Sequence, residues 1–145
     1  MNKILFYGIL LIFFLAGCSH TNKNELNEIV INENVFSEHS QFFSNYGWHI
    51  KTPYSEKTEI INYYPERIES LKLSGLDLEQ YKGKEVKTTS YVLEEEQING
   101  DKVYVTIYEI DGEIIGGTGA LENWTPGGFS LNDKKRLIED KVISE

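Results

Sequence analysis

Val86–Leu121 reads VKTTSYVLEEEQINGDKVYVTIYEIDGEIIGGTGAL, and this stretch decides the fold. Three runs inside it, Val86–Leu93, Val103–Ile110 and Ile114–Leu121, are rich in β-branched and aromatic residues, which fit a pleated, half-buried surface. Asn99-Gly100 joins the first two runs and Asp111-Gly112 the last two. Both dipeptides favour type I′ hairpin turns because Asn, Asp and Gly tolerate positive φ. The stretch therefore predicts an antiparallel meander of three strands. Upstream, Trp48 and Ile50 alternate with His49 and Lys51, Pro53 interrupts the run, and Thr58–Ile61 resumes it. This predicts one more extended segment, as two short strands around a Pro53-Tyr54 turn, and so a sheet of three to four strands.

Two helical patterns precede the meander. Val35, Phe36, His39, Phe42, Phe43 and Tyr46 fall on one helical stripe, with Asn34 placed to cap its start and Gly47 to end it. Pro65 suits a first helical position, Glu66 complements the dipole in the first turn, and Gly75 closes a second helix whose buried stripe holds Ile68 and Leu71. Leu76–Gly83 reads as a helical turn and loop. The expected fold class is α+β: two N-terminal helices packed on one face of an antiparallel sheet of three to four strands ending in a hairpin meander. Pro126-Gly127-Gly128 leaves the sheet. The domain is expected over residues 35–131, followed by a charged tail, 132–145, with at most a frayed helix.

The first residues are of another kind. Lys3 precedes an uncharged stretch, Ile4–Gly17, reading ILFYGILLIFFLAG. As a helix it would rise about 21 Å, against a hydrocarbon core of roughly 30 Å, so it is short for a membrane span and suits a secretory signal. Leu15-Ala16-Gly17 leads directly into Cys18, the only cysteine. That order resembles the lipobox of bacterial lipoproteins, in which the cysteine thiol receives a diacylglyceryl group and becomes the new N-terminus. The resemblance implies a signal peptide over 1–17 and lipid attachment at Cys18. Two or three acyl chains hold a protein on a bilayer, since each buried methylene contributes about 0.8 kcal/mol. Residues 18–34 would form the lipidated tether, rich in Asn and Glu, with Ile29-Val30-Ile31 offering an edge strand as the alternative.

Composition narrows the function. The 145-residue chain is long enough for one domain, and its 40% hydrophobic content is that of a globular protein. Its formal charge of −9 argues against nucleic acid as a partner. Removing residues 1–17 takes away Lys3 and no acid, so the mature chain is more acidic by one unit, and lipid rather than charge must attach it to an anionic membrane. A single cysteine excludes an internal disulfide framework.

Phe42-Phe43 with Tyr46-Gly47-Trp48, then Tyr81-Lys82-Gly83-Lys84 before a strand, then Asp111-Gly112-Glu113-Ile114-Ile115-Gly116-Gly117, are similar to small bacterial lipoproteins carrying the domain of unknown function DUF4830. The likeness spans about residues 38–131. It implies a small extracytoplasmic domain behind a lipid anchor and supplies no catalytic residue. The tail after Leu131 departs from the pattern.

The search for chemistry gives few candidates. His20, His39 and His49 show no close metal-ligand spacing, and no G-x-S-x-G, S-x-x-K or Cys-His nucleophile pattern is present. No cofactor motif is found, because Gly117-Thr118-Gly119 lacks the third glycine of a dinucleotide fingerprint. Glu94-Glu95-Glu96 reads either as a site for a cation or basic partner, or as charge that guards a sheet end. Gly116 and Gly117 weaken a strand and mark either a docking surface or a bend covered by a ring or helix. Trp48, Tyr54, Tyr63, Tyr64 and Trp124 complete the candidate binding surface, since rings with polar edges stack on sugars or fill interfaces. The expectation is a non-enzymatic envelope lipoprotein that contacts the membrane through its lipid and another envelope protein through its domain. The alternative is a module for cell-wall glycan or peptide, and a small hydrolase is a third reading.

Overall fold

A computed structural model describes residues 29–144 of the chain. The expected signal peptide over residues 1–17, Cys18, and most of the expected tether over residues 18–34 lie outside the described residues. The elements run α1 (Glu33–Ser44), β1 (Ile50–Ile60), α2 (Pro65–Leu73), β2 (Glu85–Glu96), β3 (Lys102–Ile110), β4 (Glu113–Leu121), β5 (Gly128–Phe129) and α3 (Lys134–Glu139), with single 3₁₀ turns at Glu79–Tyr81 and Leu131–Asp133. The fold class is α+β, built on one antiparallel sheet in the order β1-β2-β3-β4-β5. Every strand pairs with its neighbour in sequence, so the connections are local.

The sheet has five strands rather than three or four. β1 is a single strand that continues through Pro53, with register shifts on either side of that residue. A proline is tolerated there because β1 is at the sheet edge, where only the N–H groups facing β2 enter the ladder, and because the ladder is irregular around it. β5 is only two residues, paired as Gly119↔Phe129 and Ala120↔Gly128. The two hairpins differ from one another. Asp111 and Gly112 both have positive φ, 53° and 80°, as a type I′ turn requires. At the other hairpin only Gly100 is left-handed, and its N–H bonds Gln97 O while Gln97 N–H bonds Asp101 O. Ile98 and Asn99 therefore form the turn proper, and Gly100 takes the left-handed position that follows it.

The helices cover both faces, which corrects the expected one-sided packing. Ile107 packs in a cluster with Phe43, Trp48, Tyr91, Phe129, Leu131, Leu137 and Ile143, joined by Phe36 and Phe42. Its neighbour Tyr108 packs instead with Ile61, Ile68, Leu76, Leu78, Val86 and Ile110. Successive residues of a strand point to opposite sides, so α1 and α3 cover one face and α2 with its following loop the other. The glycines of β4 show the same division. A Cβ on Gly116 would meet Leu76, while one on Gly117 would meet Phe42 and Leu131. Gly116, at φ 150°, sits at the register shift where Tyr108 and Glu109 face Gly116 and Ile114 and leave Ile115 unmatched.

α1 begins at Glu33, with the Asn32 side chain accepting from Asn34 N–H, so the cap is two residues earlier than Asn34. The C-terminal segment is part of the domain rather than a tail. Leu137 and Ile143 enter the core, Gln97 and Ile143 form an isolated β-bridge, and Ser144 N–H bonds Glu96 O. Charged residues dominate this segment in sequence, yet its four apolar side chains seat it, Leu137 and Ile143 buried and Ile138 and Val142 packed against the same core cluster. Among the described residues no helix is long and apolar enough to cross a membrane.

Candidate functional site

The expected binding surface divides in the structure. Trp48 is fully buried: its indole N–H donates to Leu131 O at 2.8 Å, and its ring packs 5.4 Å from that of Phe129. It is a core residue and leaves the candidate surface. Gly116 and Gly117 leave it too, since Leu76, Phe42 and Leu131 cover them. Tyr63 is half-buried, donates to Glu59 at 2.7 Å and carries the Arg67 guanidinium 4.4 Å above its ring. Burial first, and the Glu59 hydrogen bond second, push its hydroxyl far above the ordinary tyrosine range. Tyr54 is exposed, with its ring tilted against that of Tyr104 at 4.9 Å between centroids. Tyr64 is exposed at the start of α2.

Trp124 is the predicted residue that lines open cavities. It lies on the connection between β4 and β5, where Asn123 is left-handed at φ 61° and Leu121 N–H bonds Gly127 O across the loop. The loop is tight because a Cβ on Gly127 would come within 2.7 Å of Leu121 O. The indole is 49% exposed and borders two cavities. One, of about 370 Å³, is lined by apolar Leu121, Pro126, Phe129 and Val142 together with Arg136 and Asp140. The other, of about 300 Å³, is lined by Gln97, Ile98, Asn99 and Lys141 and shares Asp140 and Val142 with the first. Arg136 is held between Asp133 at 3.0 Å and Asp140 at 3.4 Å. An accessible aromatic plane over an apolar recess with a charged rim suits the binding of a sugar ring or an apolar side chain.

The acidic run Glu94-Glu95-Glu96 resolves into two roles. Glu94 and Glu96 are exposed, whereas Glu95 turns inward, as the middle residue of three on a strand must when its neighbours face solvent. Its carboxylate accepts from Lys134 at 2.5 Å and from His49 Nδ1 at 2.9 Å, and Lys134 also donates to Gly47 O and lies 5.0 Å over the Trp48 ring. Burial pushes the Glu95 carboxyl up, but the hydrogen bonds from Lys134 and His49 outweigh it and hold the group below the usual range. The basic partner of this acid is thus in the same chain, on α3. Sequence reading missed the pair because the two residues are 39 positions apart.

A second polar cluster lies within the core. His39 Nδ1 is 2.7 Å from the Tyr91 hydroxyl, and His39 Nε2 is 3.4 Å from Glu109 Oε2. Burial, then the charges of Glu109 and Glu56, push the Tyr91 hydroxyl up, so it keeps its proton. Among the described residues no three of His, Cys, Asp and Glu are grouped to hold a metal ion.

A family model matches residues 42–118, from the last turn of α1 through most of β4, and so spans just over half of the chain. Neither the curated proteins nor the solved structures give a match. On the strength of that match the chain belongs to the family described as a domain of unknown function, DUF4830.

Proposed function

We propose that this protein is a lipid-anchored, extracytoplasmic lipoprotein whose domain works by binding a component of the cell envelope rather than by catalysis. The lipobox-like Leu15-Ala16-Gly17-Cys18 supports the anchor. Binding is carried by one observation: Trp124 keeps half of its surface accessible between two recesses while Trp48 is sealed in the core. Burying an indole is among the larger single contributions to a small interface, so an accessible one beside an apolar recess is a natural anchor point for a partner. The partner is an envelope protein, reached within the radius that the tether allows.

Crosslinking with mass spectrometry on intact cells tests this. The same neighbour is expected from the native protein and from a Cys18→Ala form released from the membrane, and it should be lost from Trp124→Ala. No enriched protein in any sample refutes the proposal. Cys18→Ala is also expected to move the protein from detergent to aqueous phase, and unchanged mass and partitioning would exclude acylation there.

The same indole supports a second reading, a cell-wall glycan or peptide held against Trp124. Its emission is expected to change on titration with wall fragments, with buried Trp48 as a constant background. Unchanged fluorescence together with no sedimentation on purified wall removes this reading.

A further inference from the structure

A cleft of about 550 Å³ opens between the end of α1 and α3. From α3 it takes Lys134, Lys135, Ile138 and Glu139, whereas Arg136, Leu137 and Asp140 line the recess beside Trp124. Residues four apart share a helix face, so one short helix presents two separate surfaces. The volume falls within the roughly 300–1,000 Å³ of small-ligand clefts. Its walls are fixed by the core. Ile138 packs against the cluster that holds Trp48, the Tyr46 ring is braced by that of Phe42 at 5.5 Å between centroids, and Lys134 ties α3 to Gly47 O and to Glu95.

The side chains at the cleft are of three kinds. Tyr46 offers an accessible aromatic ring with a hydroxyl at its edge. Asn45 and Asn132 are exposed and bring two primary amides, groups that donate and accept alike. Gln41 occupies one end of the Asn45 amide at 3.3 Å, and the other end is left to a ligand. Each cation has its own carboxylate, Lys134 with Glu95 and Lys135 with Glu139 at 3.6 Å, so the cleft as a whole is uncharged and favours a neutral ligand. Sugar hydroxyls also donate and accept, and the apolar face of a pyranose stacks on an aromatic plane. Ile138 adds an apolar spot among these polar groups, which suits a methyl group carried on an amide.

We propose that this cleft binds a neutral N-acetylated sugar, with the pyranose ring on Tyr46, the acetamide paired with Asn45 and Asn132, and its methyl on Ile138. The site is distinct from the Trp124 recesses, and the proposal holds whether or not those take a partner.

Titration of the full chain with N,N′-diacetylchitobiose, followed by NMR of side-chain amides and methyl groups, tests it. The Asn45 and Asn132 amide signals and the Ile138 methyl signals are expected to shift and saturate. Cellobiose, which keeps the rings and hydroxyls without the acetamides, is expected to bind about tenfold more weakly, and Tyr46→Ala to weaken the acetylated sugar about tenfold, the scale of losing one central contact. Unchanged signals at the cleft, or equal binding of the two sugars, overturn the proposal. Shifts confined to the Trp124 indole N–H and Ile98 overturn it as well, and assign the sugar to the Trp124 recesses instead. Should Tyr46→Ala fail to fold, Asn132→Ala decides, because that side chain is exposed in the turn before α3. The same loss of affinity is expected there, and native affinity refutes the site.

Discussion

Replacing Gly119 by alanine tests the packing that closes the sheet. Gly119 lies opposite Phe129 across β4 and β5. A Cβ built on it would come 2.6 Å from Phe129 Cδ2 and closer still to Cε2 and Cζ. Carbon atoms need about 3.6 Å, so the ring has to move by at least about 1 Å. It has little room. Phe129 is buried against Trp48, and Trp48 is tied to Leu131 O. Forced repacking of this kind costs roughly 1–3 kcal/mol, and disturbing the Trp48–Phe129 contact adds about 0.5–1.5 kcal/mol. The lower chain entropy of alanine offsets about 0.5–1 kcal/mol. The expected net loss is about 2 kcal/mol, or roughly 8 °C in Tm for a domain of this size. Urea unfolding followed by tryptophan fluorescence reads the loss, and Trp48 emission should shift to the red in the native state of the variant. Phe129→Leu removes the outer ring carbons, so the double variant is expected to cost less than the two singles added, with a coupling of about 1 kcal/mol. A Gly119→Ala protein within about 0.5 kcal/mol of the native one, or a coupling near zero, would refute the reasoning.

Lys134→Met keeps the apolar stem over Trp48 but leaves Glu95 with His49 alone. Breaking a buried pair costs about 3–5 kcal/mol, and partial exposure of Lys134 lowers the expectation to roughly 1–3 kcal/mol in urea unfolding. The Glu95 carboxyl is held below its ordinary range, so its contribution is complete above the unfolded carboxylate value of about 4.3 and fades as pH falls through the lower folded value. Glu95→Gln should therefore flatten the acid limb of a stability–pH curve, and an unchanged limb would exclude the role. Trp48→Ala should cost about 3–5 kcal/mol and Trp124→Ala less than about 0.5 kcal/mol, with iodide quenching the emission of Trp124 alone in the native protein. A chain ending at Thr118 should fail to unfold cooperatively, which a flat urea curve would show.

The meander was legible in the sequence because its signals are local. β-branched runs and Asn-Gly or Asp-Gly turns act within a few residues, and the strands they mark pair with their neighbours. What depends on distant chain was not legible. Nothing near Trp48 tells an exposed aromatic from a buried one, because burial comes from Phe129, Leu131 and Lys134, more than eighty positions away. The Glu94-Glu95-Glu96 run has the same limit, since alternation along β2 separates its members but only the fold brings Lys134 to the middle one. Trp124 was legible as a ring flanked by turn residues, and its accessibility follows from the tight loop that Gly127 permits. Placing both helices on one face failed because helical periodicity gives the width of an apolar stripe and not the side of the sheet that it meets.

The region matched by the family and the unit that closes the core are not the same length of chain. Residues 42–118 supply Trp48 and Tyr91, yet the partners that seal Trp48, the Phe129 ring and Leu131 O, come later. The same later segment brings Lys134 to Glu95 and Val142 O to Ile98 N–H, and it forms the walls around Trp124. The C-terminal segment therefore joins two tasks physically: the side chains that close the core on one side, Phe129 and Leu137, line the recess beside Trp124 on the other. Core substitutions in this segment will reshape the recess even where they never touch a ligand.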